Sequence, residues 1–158
     1  MRTALLRGTA AVLLTAAAAG CSSATATTSS APPGSRISVS GAYIPLPAGG
    51  STEMAAGYLV LRNTGGQADT LTGVSSPQAA SVTMHQSTAT TMQPLDAVPV
   101  PAHGTVTFAR GGRHLMLMGL AETPKVGHQV QLRLEFKDAG TVTVSATIEP
   151  LTYQPPGS

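Results

Sequence analysis

His114, Met116 and Met118 recur at every second position of the segment GGRHLMLMGL, residues 111–120. In an extended chain, side chains alternate. One imidazole and two thioethers then share one face, and Leu115 and Leu117 share the other. Same-face neighbours two residues apart lie about 7 Å from each other, so His114 and Met116 can converge on one ion between them. Upstream, SVTMHQSTATTMQP puts Val82 and Met84 on one face and His85 on the opposite one, with Met92 after a polar Ser/Thr/Ala loop. Thioether sulfur is soft and uncharged, and imidazole is borderline. That mixture suits Cu(I) rather than Mg, Ca or Mn, which take oxygen ligands. Structural zinc uses Cys with His, and catalytic zinc uses His with carboxylate; neither cluster has a carboxylate beside it. A blue-copper electron-transfer site needs a thiolate, and Cys21 is the only cysteine.

The elements that must hold these side chains read as short strands. ISVSGAYI, AAGYLVLRN, DTLTGV, ASVTMH, TVTFA, HLMLMGL, QVQLRLEF and TVTVSATIEP are rich in β-formers, with turn signals such as NTGG, PAHG, ARGG, TPKVG and KDAG between them. Two segments alternate cleanly. Val130, Leu132 and Leu134 oppose Gln131, Arg133 and Glu135; Val142, Val144 and Ala146 oppose Thr141, Thr143 and Ser145. Seven to nine strands without a helical period imply one all-β domain, an antiparallel sandwich or barrel, over residues 37–150. Because both faces of HLMLMGL are apolar, that strand is expected to be central and covered on both sides.

The ends of the chain read differently. Residues 1–20 carry Arg2 and Arg7 ahead of an apolar Ala/Val/Leu run that is short for a membrane span, the layout of a signal peptide. AAAGC resembles a lipobox, with Cys21 as the lipidated residue and Ala18 where a larger aliphatic is usual. Residues 21–36 are a Ser/Thr/Ala/Pro linker with almost no charge, expected to be a flexible tether. Residues 151–158 are expected to be a disordered tail. Removing Arg2 and Arg7 from the nine Lys and Arg leaves seven against seven Asp and Glu. A neutral mature chain with no basic cluster has no electrostatic footprint for nucleic acid.

The residues also resemble the periplasmic copper chaperones called PCuAC. Their signature is His, ten residues, Met, twenty-one residues, then His-x-Met. Met92, twenty-one residues, then His114-Leu115-Met116 matches the second half, while only six residues separate His85 from Met92. AAGYLVLRNTGG, DTLTGVSSP and HLMLMGL look like that family's segments as well. The resemblance implies a Greek-key, cupredoxin-like domain that binds Cu(I) through His85, Met92, His114 and Met116. Together with the signal layout and lipobox, the mature protein reads as an extracytoplasmic, lipid-anchored carrier, expected to be a monomer. Delivery would run toward cytochrome c oxidase with a Sco-like thiol protein, and the chain would not be an enzyme. On strand parity alone His114 reads as a core histidine bonded to a backbone carbonyl; with Met92 at the family spacing it reads as a ligand. Met54, Met84 and Met118 are expected in the core, and His103 and His128 on the surface. The rival readings are a structural or adhesive lipoprotein sandwich without metal, and a copper enzyme. The second lacks a His-rich set able to hold Cu(II) through a redox cycle.

Overall fold

Ten strands and one short 3-10 turn at Ala48–Gly50 make up the computed structural model, which describes residues 34–156. Residues 1–33, with the expected signal peptide, Cys21 and most of the expected linker, lie outside the described residues, as do residues 157 and 158. The strands are β1 Ile37–Pro45, β2 Met54–Asn63, β3 Asp69–Ser75, β4 Ala79–Ser87, β5 Met92–Leu95, β6 Val98–Val100, β7 Thr105–Phe108, β8 Arg113–Leu120, β9 Gln129–Phe136 and β10 Gly140–Glu149. They hydrogen-bond in the order β5-β4-β8-β2-β1-β10-β9-β3-β6, with β7 also pairing β2. The sheet is antiparallel throughout except that β1 and β10 run parallel.

Two strands escaped the periodic reading. MQPL and VPV, β5 and β6, each contain a proline, which signals against a strand. Both are edge strands at the two ends of the order, where a residue lacking an N–H is tolerated.

β2 joins the two arms of the sheet. Its first half, Met54 to Gly57, pairs β8, and its second half, Leu59 to Arg62, pairs β7. The arms close over one apolar cluster in which Met84, Leu115 and Leu117 from one arm meet Leu71, Leu132 and Leu134 from the other. The alternation of β9 holds: Val130, Leu132 and Leu134 are buried.

The folded domain reaches outward at both ends. Ser35 Oγ donates to Asp69 Oδ2 at 2.6 Å, and the Arg36 backbone N–H donates to Asn63 Oδ1 at 3.0 Å. At the other end, in the segment expected to be a disordered tail, Tyr153 packs edge-on against Tyr43 with centroids 5.0 Å apart. Arg110 donates from Nη2 to the Leu151 carbonyl at 2.8 Å.

Candidate metal centre

β8 positions the site because its two faces meet different surroundings. Leu115 and Leu117 are fully buried in the core. His114 and Met116 therefore project to the outer face of the β5-β4-β8-β2 arm. That face is covered at its His114 end, where His114 is itself buried, and open at its Met118 end, so the expectation of cover on both sides holds only in part. Met118 is 39% exposed and Met54 is 50% exposed, so neither belongs to the core as expected, whereas Met84 does. The parity of the strand was readable; which face would be roofed depended on the closure of the other arm.

Pairing with β4 supplies the second imidazole. His85 stands directly opposite His114, and Thr83 opposite Met116. The two imidazole rings lie nearly parallel at 21°, with centroids 5.8 Å apart. β5 then folds back on β4, pairing Ser87 with Met92 and His85 with Pro94. Met92 thus begins a strand rather than standing in a loop, and it shares the outer face with His85. The connection is tightened by Thr88, whose backbone N–H donates to the Thr91 carbonyl at 2.8 Å. Thr88 and Thr91 also join their hydroxyls at 2.9 Å. Six intervening residues suffice because the strands run up to this turn on both sides.

The four sequence-derived candidates come together on this face, near the end of the arm where the β4–β5 and β7–β8 turns lie. A cavity of about 330 Å³ is lined by Met92, His114 and Met116 together with Met54 and Tyr58. His85 stands beside it, stacked on His114. His103 and His128 are exposed and elsewhere, as expected for surface histidines.

Hydrogen bonds set the free nitrogen of each ring. His114 Nδ1 lies 3.1 Å from the Gly112 carbonyl. A carbonyl only accepts, so Nδ1 carries the proton and Nε2 presents a lone pair. The same carbonyl accepts the Ser87 backbone N–H at 3.0 Å, tying the end of β4 to the start of β8. The preceding Gly111, at φ +76°, takes the left-handed conformation that this turn requires.

His85 Nε2 lies 2.9 Å from the Thr83 hydroxyl. Its Nδ1 is buried without a protein partner. With Nε2–H donating to the Thr83 hydroxyl, Nδ1 is left as an unused lone pair that a metal can take up. Both histidines therefore offer one basic nitrogen, each oriented by a bond at the other nitrogen, the arrangement metal-binding imidazoles use.

Burial pushes the Tyr58 hydroxyl up from its ordinary value; the Arg110 guanidinium opposes this and Tyr43 adds to it. Tyr58 thus lines the cavity as a neutral phenol and not as an anionic ligand. Among the described residues, no three His, Cys, Asp or Glu side chains gather as a metal-binding group. The donors available here are imidazole nitrogens and thioether sulfurs, a set that fits a soft monovalent ion and is poor for hard divalent ones. Thr83 and the Gly112 carbonyl were not picked out from the sequence. Thr83 was reachable in principle, since a residue two before His85 shares its face. Met54 was not, because its place rests on the long-range pairing of β2 with β8.

Comparison with known proteins bears on the family and the fold. The family described as "Putative lipoprotein LpqE-like" matches residues 37–148. A relative from Leifsonia xyli subsp. xyli, "Putative lipoprotein Lxx21020", is 30% identical over 154 residues, 93% of this chain and 91% of the relative. The copper-bound PCuAC domain from PmoF2 is 30% identical with a TM-score of 0.63, covering 74% of this chain and 95% of that domain. The Cu(I) form of DR1885 from Deinococcus radiodurans is 29% identical with a TM-score of 0.58, covering 82% and 87%. With its all-β, cupredoxin-like architecture and a family match that spans the folded domain, the chain belongs to the LpqE-like lipoprotein family and has the PCuAC fold.

Proposed function

We propose that this protein is an extracytoplasmic copper carrier that binds Cu(I) through His85, Met92, His114 and Met116. The observation that carries the reading is the cross-strand pair His85–His114, each ring with one free nitrogen, set beside two thioethers on an outward face. Cu(I) accepts imidazole and thioether ligands. A site that the exposed Met92 opens to solvent exchanges its ion without unfolding the domain, and it has no thiolate to oxidise outside the cell. Copper is cargo here, so the protein acts as a carrier and not as an enzyme. The match to a copper-bound PCuAC domain supports copper as the ion.

Lipidation at Cys21, with the linker as tether, would hold the carrier at the outer side of the cell membrane; membership of a lipoprotein family supports this. Hand-over to the copper site of cytochrome c oxidase, with a Sco-like thiol protein as intermediary, is the corresponding destination. Among the described residues no helix is long and apolar enough to cross a membrane.

Anaerobic Cu(I) titration of the full chain against a competing chelator tests the reading. A tight first equivalent that His114→Ala abolishes is expected. A chain that takes up no Cu(I) would leave the domain as a metal-free structural sandwich.

A further inference from the structure

Met54 and Met118 stand outside the four-residue cluster, yet they adjoin it. They are directly paired across β2 and β8. Paired residues of an antiparallel ladder project to the same side, with Cβ atoms about 4.5–5.5 Å apart. That side is the outer one, because their chain neighbours Ala55 and Leu117 are buried. Met116 lies two residues from Met118 on the same face. Its partner on β2 is Ala56, whose single methyl leaves room beside the Met116 thioether.

Of this pair, Met54 reaches the cavities at the site, whereas Met118 lines neither. Met54 lines the cavity shared with His114 and Met116. It also lines a neighbouring cavity of about 390 Å³, bounded by Pro45, Leu46 and Leu151. A single exposed apolar side chain needs no explanation. Here three thioethers adjoin, two of them substantially exposed, on unbranched side chains that can re-aim their sulfurs. Uncharged sulfur donors select soft monovalent ions over hard divalent ones.

We propose that Met54, Met118 and a shared Met116 form a second, all-thioether site for a soft monovalent cation, beside the histidine-containing site and filled after it. Identifying the ion as Cu(I) rests on the function proposed above. Sharing Met116 lets the ion exchange one ligand at a time, from imidazole toward thioether, without leaving the protein. The second site lacks imidazole, so it is the weaker and more labile of the two. That is the property a staging position for release needs.

The test is methyl NMR of the full chain labelled at its methionine methyl groups, with Cu(I) added anaerobically and each signal assigned by a Met→Leu variant. The first equivalent is expected to move Met92 and Met116, and the second to move Met54 and Met118. The double variant Met54→Leu/Met118→Leu should keep the first equivalent and lose the second. Leucine is close in volume and the positions are exposed, so folding is preserved. If Met92 and Met116 respond while Met54 and Met118 stay still through excess Cu(I), this proposal is overturned and the carrier reading stands. If the double variant still takes a second equivalent, that ion binds elsewhere and the proposal also fails. Movement of Met54 and Met118 alone would support this site and overturn the four-ligand centre. No movement at any methionine would overturn both.

Discussion

The Thr83 hydroxyl lies 2.9 Å from Nε2 of His85, two residues along the same strand. This bond occupies Nε2 and leaves the buried Nδ1 without a protein partner. Thr83→Val should weaken Cu(I) binding by about 10–100-fold, the usual cost of losing a group that orients a ligand. Thr83→Ser should restore it. Thr83 is exposed, so circular dichroism should not change. Wild-type affinity in Thr83→Val would remove the threonine from this role.

Met92 and Leu117 separate binding from folding. Met92 is 53% exposed on an edge strand, and Leu117 is fully buried. Met92→Ala should lower Cu(I) affinity by about tenfold or more, at least about 1.4 kcal/mol, with an unchanged melting temperature. Leu117→Ala should cost about 2–5 kcal/mol of stability through a core cavity. Chelator competition and thermal melts on both variants check this. A large loss of stability in Met92→Ala would place that residue in the core instead.

Protons compete with copper for imidazole, and thioethers do not titrate. Cu(I) affinity should therefore fall on acidification, with residual binding in acid. An affinity unchanged on acidification would take both His85 and His114 out of the ligand set.

Asp69 ties the start of the domain to the β9–β10 turn. Burial by itself pushes its carboxyl up. Hydrogen bonds from Ser35 Oγ and from the backbone N–H groups of Asp138, Thr70 and Ala139 outweigh burial and hold it below the ordinary carboxylate value. A depressed value contributes stability that is fully present above the unfolded value of about 3.9 and is lost as pH falls through the folded one. Asp69→Asn should therefore cost about 1–3 kcal/mol near neutrality, and the gap to wild type should narrow below about pH 4. Denaturant melts at both pH values measure it, and an equal gap at both would show that the charge is not what these bonds recognise.

Cys21→Ser should move the protein from the membrane fraction to the soluble one, or leave it unprocessed, without altering Cu(I) affinity. Wild-type protein recovered in the medium with a free thiol would exclude the lipid anchor.

What the sequence determined by itself was local. A period of two assigns side chains to one face or the other of a strand whatever lies around it. His114 with Met116, His85 opposite Met84, and the inward row of Val130, Leu132 and Leu134 were therefore all legible. Strand composition and turn residues likewise placed eight strands and the all-β class. The count of residues between Met92 and His114 carried the family resemblance, because a spacing is visible without a structure.

The tertiary structure decided the rest. Period two states that His114 and Met116 share a face, but not whether that face is inside. On β8 both faces are apolar. Only the closure of β9, β3 and β6 over Leu115 and Leu117 made one face the core and left Met116 and Met118 outward. The register that sets His85 against His114, and Met54 against Met118, joins strands far apart in the chain. Such pairings depend on how the whole sheet distributes its buried surface. No window of sequence contains both partners together with the competing registers they exclude, so the site became visible only once the arms were folded.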